Sequence, residues 1–290
     1  MIKNVLITGI HGLIGRHLAS ILVEEGFSIH GIARGNSPDI RSSVHHLTID
    51  LASEWSFESL PEECDVVIHL AQSASFRDFP NSALDVFKVN IESTARLLDY
   101  ARQAGVKKFV YASSGGVYGN GSHAFRENEP IVPPGQLGYY LGSKACGEIL
   151  VQSYATVFDV VVVRPFFVYG PGQTRSMLIP RLYDSVANCR PITLQGESGI
   201  RINPIHVEDA ATAIAAALNL DRSATFNIAG PDVRSIREIC EGMGHHLGIR
   251  PVFSQLKGEP TDLIGDIAAM RRYLHHPVRQ LKEAYHDVKF

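Results

Sequence analysis

The chain predicts a doubly wound α/β fold, a parallel sheet covered by helices on both faces, with a small mixed lobe at its C-terminal end. Three observations predict it. Over the first half, short strands that are apolar throughout alternate with helical segments, and such strands need cover on both faces. The first strand-to-helix turn is rich in glycine. Beyond residue 165 the alternation gives way to shorter, mixed elements.

Taken in order, "KNVLIT" (3–8) is the first strand, and "RHLASILVEEG" (16–26) is a helix stopped at Gly26. "SIHGIA" (28–33), "VHHLTID" (44–50) and "DVVIHLA" (65–71) are further strands. The amphipathic segment 84–105 predicts a long helix ending at Gly105; strand "KKFVYASS" (107–114), a helix over 138–157 and strand "DVVVVRP" (159–165) follow. The Gly- and Pro-rich stretch 115–137 reads as a loop of a length that usually signals function or mobility. In the C-terminal part, 176–189, 208–220 and 235–247 read as helices, and "PITL", "INPIHV", "ATFNIAG" and "PVFS" as short strands. The expected division is a dinucleotide-binding domain over 1–165 and a substrate lobe over 166–290, interleaved with the last sheet elements.

With 290 residues, 45% of them hydrophobic, the chain can bury a sizeable core. A net charge of −3 supplies no basic field for nucleic acid, and no apolar run is long enough to span a bilayer. Cys64, Cys146, Cys189 and Cys240 form no C-x-x-C pair and read as reduced thiols of a cytoplasmic protein. Thirteen histidines include three adjacent pairs, but none has metal-ligand spacing, so no metal site is expected. His206 reads as a strand residue supporting the lobe.

"TGIHGLIG" (8–15) places Gly9, Gly12 and Gly15 between a strand and a helix. There they permit a tight turn, close approach of backbone to a pyrophosphate, and close helix–strand packing. The helix start faces the anion with open N–H groups. This is the turn of a Rossmann-type dinucleotide site, and it predicts His11, Leu13 and Ile14 beside the cofactor. An NAD site usually ends its second strand on an acid that accepts from the adenosine ribose. Here Ala33 and Arg34 stand there, and Arg34, helped by Asn36 or Ser37, suits a 2′-phosphate, which favours NADP over NAD. Asp50 is placed to accept from the adenine amino group.

In "GYYLGSKACGE" (138–148), Tyr140 and Lys144 lie one turn apart on one helix face. There an ammonium can lower the pKa of a phenol. Tyr139 points elsewhere on the same helix.

Together with "VIHLA" (67–71), "VNIEST" (89–94), "YASSGGVYG" (111–119), "RPFFVYGPGQ" (164–173) and "INPIHVEDA" (202–210), these motifs make the chain resemble an extended short-chain dehydrogenase/reductase of the nucleotide-sugar epimerase/dehydratase kind. The resemblance covers nearly the whole chain. It implies Tyr140 as acid/base, Lys144 as its partner and ribose anchor, and Ser114 as hydrogen-bond partner of the reacting oxygen. It also implies Leu51, Leu70, Ala71, Asn90, Pro165 and Val168 at the cofactor, and a homodimer through helices 84–105 and 138–157, with Val86, Val89, Leu97 and Leu98 on the first.

Departures from the pattern bear on the substrate. Gly115 and Gly116 stand where dehydratases and decarboxylases carry acids, which argues against dehydration. Phe167 replaces an asparagine that contacts substrate phosphate in many members. Arg201 is one residue out of register with the usual phosphate arginine, so Arg175 and Arg181 are candidates to replace it. The expected substrate is a nucleotide-activated sugar reacting at C4. Arg34 puts a 4-keto reductase ahead of a UDP-glucose 4-epimerase-like enzyme; a non-sugar carbonyl reductase and a non-catalytic nucleotide sensor are further alternatives.

Overall fold

A computed structural model describes residues 2–35 and 43–285. The first half runs β1 (Asn4–Thr8), α1 (Leu13–Glu24), β2 (Ser28–Ala33), β3 (Val44–Thr48) and β4 (Val66–His69). Next come α2 (Ala83–Phe87), a π-helical turn (Lys88–Glu92), α3 (Ser93–Gln103) and β5 (Lys108–Ala112). They are followed by β6 (Ala124–Phe125), α4 (Pro134–Ser153) and β7 (Asp159–Pro165). The remainder comprises β8 (Val168–Tyr169), α5 (Leu178–Ala187), β9 (Ile192–Gln195), β10 (Arg201–Ile202), β11 (Ile205–His206) and α6 (Val207–Ala216). Last are β12 (Ala224–Ile228), β13 (Arg234–Ser235), α7 (Ile236–Leu247), β14 (Phe253–Leu256), β15 (Asp262–Gly265) and α8 (Ala268–Tyr273).

Seven strands form one sheet in the order β12-β7-β5-β4-β1-β2-β3, every neighbouring pair parallel. Side chains along a strand alternate between faces. In β1, Val5 and Ile7 join the core under α1 and α6, while Leu6 joins the core under α3 and α4. In β7, Val161 and Val163 go one way and Val160 and Val162 the other. Burying such a side chain contributes about 1.5–3 kcal/mol, so unbroken apolar runs are what a two-sided sheet requires. The chain leaves β1 for β2 and β3 on one side, then returns to β4 on the other. That reversal opens a crevice at the C-terminal ends of β1 and β4, the usual ligand position in such sheets.

The lobe has a third core, in which Tyr169, Ile179, Leu194, Ile239 and Met243 pack together. It is not a separate body after residue 165, because β12 completes the main sheet and α6 packs on α1. The expected helix 84–105 is interrupted by the π-turn, and α4 is kinked at Gly138. Val86, Val89, Leu97 and Leu98 are buried within the chain's own core; the large apolar side chains exposed on these helices are Leu84, Phe87, Tyr139 and Ile149. His206 ends β11 and caps α6, its Nδ1 accepting from Glu208 N at 3.3 Å. All four cysteines are free thiols, Cys64 and Cys240 buried, Cys146 and Cys189 exposed. Among the described residues no helix is long and apolar enough to cross a membrane.

Candidate active site

One cavity of about 820 Å³ runs from the glycine turn to the lobe. Its nucleotide end is backbone. Gly9 holds φ at 70° and donates to Ile32 O at 3.0 Å, while Gly12 N donates to Gly9 O at 2.8 Å. A Cβ on Gly9 would lie 2.9 Å from the Ala71 backbone, and one on Gly15 only 2.3 Å from Gly9 O. Leu13 and Ile14 open α1 at the cavity wall, and no acidic residue occupies that first turn. His11 lines the same end with a buried Nε2 that has no hydrogen-bond partner among the described residues. Burial, then neighbouring His46, holds its pKa below the usual histidine value. Arg34, Asp50, Leu51, Leu70 and Ala71 complete this end. Asn36 and Ser37, expected to help Arg34, lie outside the described residues. A cradle that one methyl group would block, open helix N–H groups and an unpartnered ring nitrogen fit a dinucleotide.

Ser114, Tyr140 and Lys144 line the middle of that cavity. Ser114 follows β5, and its Oγ accepts from Gly116 N at 3.1 Å. Gly138, at φ 66° and ψ 177°, breaks the backbone just before the helical run that carries Tyr140 and Lys144. One turn beyond Lys144, buried Glu148 takes two hydrogen bonds from Arg164 of β7, at 3.0 and 2.6 Å, fixing the helix to the sheet. Lys144 is 1% exposed and donates to Ala112 O at 2.9 Å; burial pulls its pKa down to about 8. The Tyr140 hydroxyl donates to Gln72 Oε1 at 2.8 Å, and the Phe76 ring packs 4.6 Å from its own. Lys144 was expected to lower the phenol pKa. Instead burial pushes it up to about 12, and the cation pulling it down is Arg77. The reason is placement, since the ammonium is directed at a carbonyl and the guanidinium lies over the Phe76 ring that packs against the phenol. Tyr139 points away and stacks on Phe79 at 5.0 Å.

Asn90, expected at the cofactor, sits one layer behind the wall and is 1% exposed. Its Oδ1 accepts from Ser73 N at 2.9 Å, and its Nδ2 donates to Ser143 Oγ at 2.8 Å. Ser143 in turn donates to Tyr140 O at 2.7 Å. Behind Asn90 runs a buried chain. Ala71 N donates to Thr8 Oγ1 (3.1 Å), which meets His69 Nδ1 (2.7 Å); His69 Nε2 meets Thr94 Oγ1 (3.0 Å), which donates to Asn90 O (2.8 Å).

The other end is side chains, Phe76, Arg77, Phe166, Phe167, Met177 and Leu178, and Pro165 and Val168 also line the cavity. Phe167 keeps a left-handed φ of 45°, rare for a large residue. The arginines expected here are elsewhere. Arg175 is paired with Asp184, Arg201 is paired with Asp262, and Arg181 is exposed outside the cavity. Arg77 takes the inward position, donating to Ser176 O at 3.1 Å and Met177 Sδ at 3.5 Å. Gln72, Phe76, Arg77 and Met177 were missed by sequence reasoning: the first three lie in a segment with neither periodicity nor motif, and Met177 stands at the start of a helix read only as part of the lobe. Gln173 also lines the cavity, 7% exposed, its Oε1 without a hydrogen-bond partner among the described residues, and its place in "GPGQ" was the available signal.

A family model described as the NAD dependent epimerase/dehydratase family matches residues 5–229. The Bacillus subtilis (strain 168) "Uncharacterized UDP-glucose epimerase YtcB" is 28% identical over 308 residues, covering 97% of this chain and 95% of that protein. The UDP-glucuronate 4-epimerase of Thermodesulfobacterium geofontis (strain OPF15) is 28% identical, covering 84% of this chain and 80% of that one. Among solved structures, MoeE5 in complex with UDP-glucuronic acid and NAD superposes with a TM-score of 0.84 at 27% identity, covering 98% of this chain and 97% of that one.

Proposed function

The chain belongs to the NAD dependent epimerase/dehydratase family, and from that premise we propose that it is a nucleotide-sugar 4-epimerase, a UDP-hexose or UDP-hexuronate being its substrate. The observation that carries the reading is the single cavity joining the glycine turn, the Ser114–Tyr140–Lys144 trio and an apolar substrate end. The relatives favour the epimerase over the 4-keto reductase that Arg34 put first. A nicotinamide dinucleotide held by its pyrophosphate at the glycine turn would supply the hydride acceptor and donor. Tyr140 takes the proton of the C4 hydroxyl and later returns it. Ser114 steadies that oxygen, and Lys144 holds the ribose side.

Epimerisation removes hydrogen from one face of a carbon and returns it to the other, so within a fixed site the sugar ring must turn over. Walls such as Phe76, Phe166, Phe167 and Leu178 hold a ring by contact area, not by fixed hydrogen bonds, and so permit turning. Dehydration is disfavoured because no acid stands at 115 or 116. A side chain on Gly116 would meet Leu141 at 2.8 Å.

The test is incubation with UDP-glucuronate or UDP-glucose, with NAD and with NADP, followed by chromatography for the C4 epimer. Formation of the epimer without net change in the cofactor supports the reading; stoichiometric reduction of NAD or NADP with accumulation of the 4-keto sugar, the reverse of a 4-keto reduction, would return it to a reductase. Arg34 beside Ala33 supports preference for the 2′-phosphorylated cofactor, which paired dissociation constants decide. Exposed Leu84 and Phe87 on α2 and Ile149 on neighbouring α4 support a homodimer, checked by light scattering.

A further inference from the structure

The residue that touches the reacting hydroxyl is Gln72. Neither of Tyr140's expected partners bonds it here, because Ser114 Oγ accepts from Gly116 N and Lys144 Nζ donates to Ala112 O. Gln72 is mounted firmly. The amide of Ala71 before it is held by Thr8 Oγ1 at 3.1 Å, and that of Ser73 after it by Asn90 Oδ1 at 2.9 Å. Asn90 also holds Ser143, whose hydroxyl bonds Tyr140 O, so one buried amide ties the mount of Gln72 to the helix of Tyr140.

A protonated phenol is a donor, so the amide head facing it is the acceptor Oε1. A base must lose that proton, and a phenolate only accepts. An amide oxygen facing it would then oppose ionisation. The terminal torsion of glutamine is broad and roughly two-fold, and the far head of Gln72 makes no hydrogen bond among the described residues. Half a turn therefore presents Nε2–H at the same place.

We propose that Gln72 is a two-headed positioning residue, accepting from the neutral Tyr140 phenol through Oε1 and donating to its phenolate through Nε2. The reacting oxygen thus keeps a protein partner on both sides of the proton transfer. When a substrate hydroxyl gives its proton to Tyr140, the phenol O–H bond forms and the amide turns its oxygen back. This rests on the acid–base role proposed above for Tyr140. Arg77, reached through the same segment, adds charge but cannot change from donor to acceptor.

The discriminating variant is Gln72→Glu, whose carboxylate can accept but not donate; Gln72→Ala removes both heads. Tyrosinate formation is followed by ultraviolet difference titration of the NAD-loaded protein, over the pH range in which circular dichroism shows the fold intact, with Tyr140→Phe as blank. The expected result is a Tyr140 midpoint raised by about one pH unit or more in Gln72→Glu, with a smaller rise in Gln72→Ala. A midpoint equal in wild type and Gln72→Glu, or no Tyr140 signal in either over that range, overturns the proposal. Turnover of UDP-glucuronate is the second arm, with kcat falling further in Gln72→Glu than in Gln72→Ala while KM and NAD affinity hold within about twofold. Equal losses in both variants would reduce Gln72 to a spacer. A shifted midpoint in a protein inert towards UDP-glucuronate keeps this proposal and removes the substrate reading.

Discussion

The two ends of the cavity are made of different material. At the nucleotide end the wall is main chain: Gly9, Gly12 and Gly15 bring backbone atoms so close that a single Cβ would collide at 2.3–3.0 Å. At the other end the wall is six side chains from segments 76–77, 166–167 and 177–178, of which buried Phe166 is held close against Gly115 and Gly265. A backbone wall fixes one ligand shape and tolerates almost no substitution. A side-chain wall can be re-cut residue by residue, which is how one scaffold accepts many substrates. Tyr140 and Lys144 stand at the seam.

Breaking the seam should have the largest effect. Tyr140→Phe keeps the ring against Phe76 and removes the hydroxyl, so turnover should fall about 10²–10⁴-fold while cofactor binding is nearly unchanged. Tyr139→Phe is the control, since that ring stacks on Phe79 outside the trio. Kinetics with UDP-glucuronate alongside cofactor titration separate the two. Loss of activity in Tyr139→Phe and not in Tyr140→Phe would reverse the assignment.

The comparison sharpens at the nucleotide end with Gly15→Ala. Its methyl carbon would sit 2.3 Å from Gly9 O and 2.8 Å from Ile10 Cα. Both are backbone atoms that cannot rotate aside, so α1 must move off the turn. Overpacking of this kind costs about 1–3 kcal/mol, and cofactor affinity should fall with it. Denaturant unfolding and fluorescence titration with NADH measure both. A change at the other end, Phe167→Leu, should alter KM more than stability.

This contrast also explains what could be read from the sequence. Gly9, Gly12 and Gly15 were legible because a backbone constraint leaves one residue type at fixed spacing, and the apolar strands were legible because burial on both faces leaves no alternation. Tyr140, Lys144 and Ser114 stood out only as a set, along with the motifs of the resemblance. Gln72 and Arg77 carried no signal. Their roles depend on where a coil segment lands against a kinked helix far along the chain, and no local period encodes that. Arg201 was attractive for its nearness to the family's phosphate arginine and Arg175 as its substitute, and their carboxylate partners Asp262 and Asp184 became visible only in three dimensions.

His69 links the two ends through Thr8 on one side and Thr94 and Asn90 on the other. Burial first, then the Lys144 ammonium, depresses its pKa to about 3; an unfolded histidine titrates near 6.5. Between those values the unfolded chain binds a proton that the folded one does not. The stability contribution is therefore complete above about pH 6.5 and is lost as pH falls toward 3. At pH 5 the loss from this residue is about 2 kcal/mol. Unfolding of wild type and His69→Gln at pH 7 and pH 5 should show a shallower acid loss in the variant. Parallel losses would mean that the imidazole is solvated and does not bridge the two ends.

The smallest effect belongs to the arginines outside the cavity. Arg201 is largely exposed and pairs with Asp262 at the lobe surface, while Arg175 pairs with Asp184. Asp262 is itself buried, so the figure of about 0–1 kcal/mol for exposed pairs applies to Arg175–Asp184 alone, and neither guanidinium reaches the cavity wall. Arg181 is exposed on α5. Arg175→Ala, Arg181→Ala and Arg201→Ala, alone or together, should therefore leave KM for UDP-glucuronate within about threefold, under 1 kcal/mol of binding. Arg77→Ala should raise it by about tenfold or more, since removing a charged hydrogen-bonding partner costs about 1.5–3 kcal/mol. The measurement is a set of initial-rate curves at one saturating cofactor concentration and two salt concentrations. A tenfold rise in KM for Arg201→Ala, screened by salt, would show that the substrate extends past the aromatic wall onto the lobe. The side-chain end would then be larger than the cavity, and the boundary drawn at Met177 and Leu178 would have to move outward.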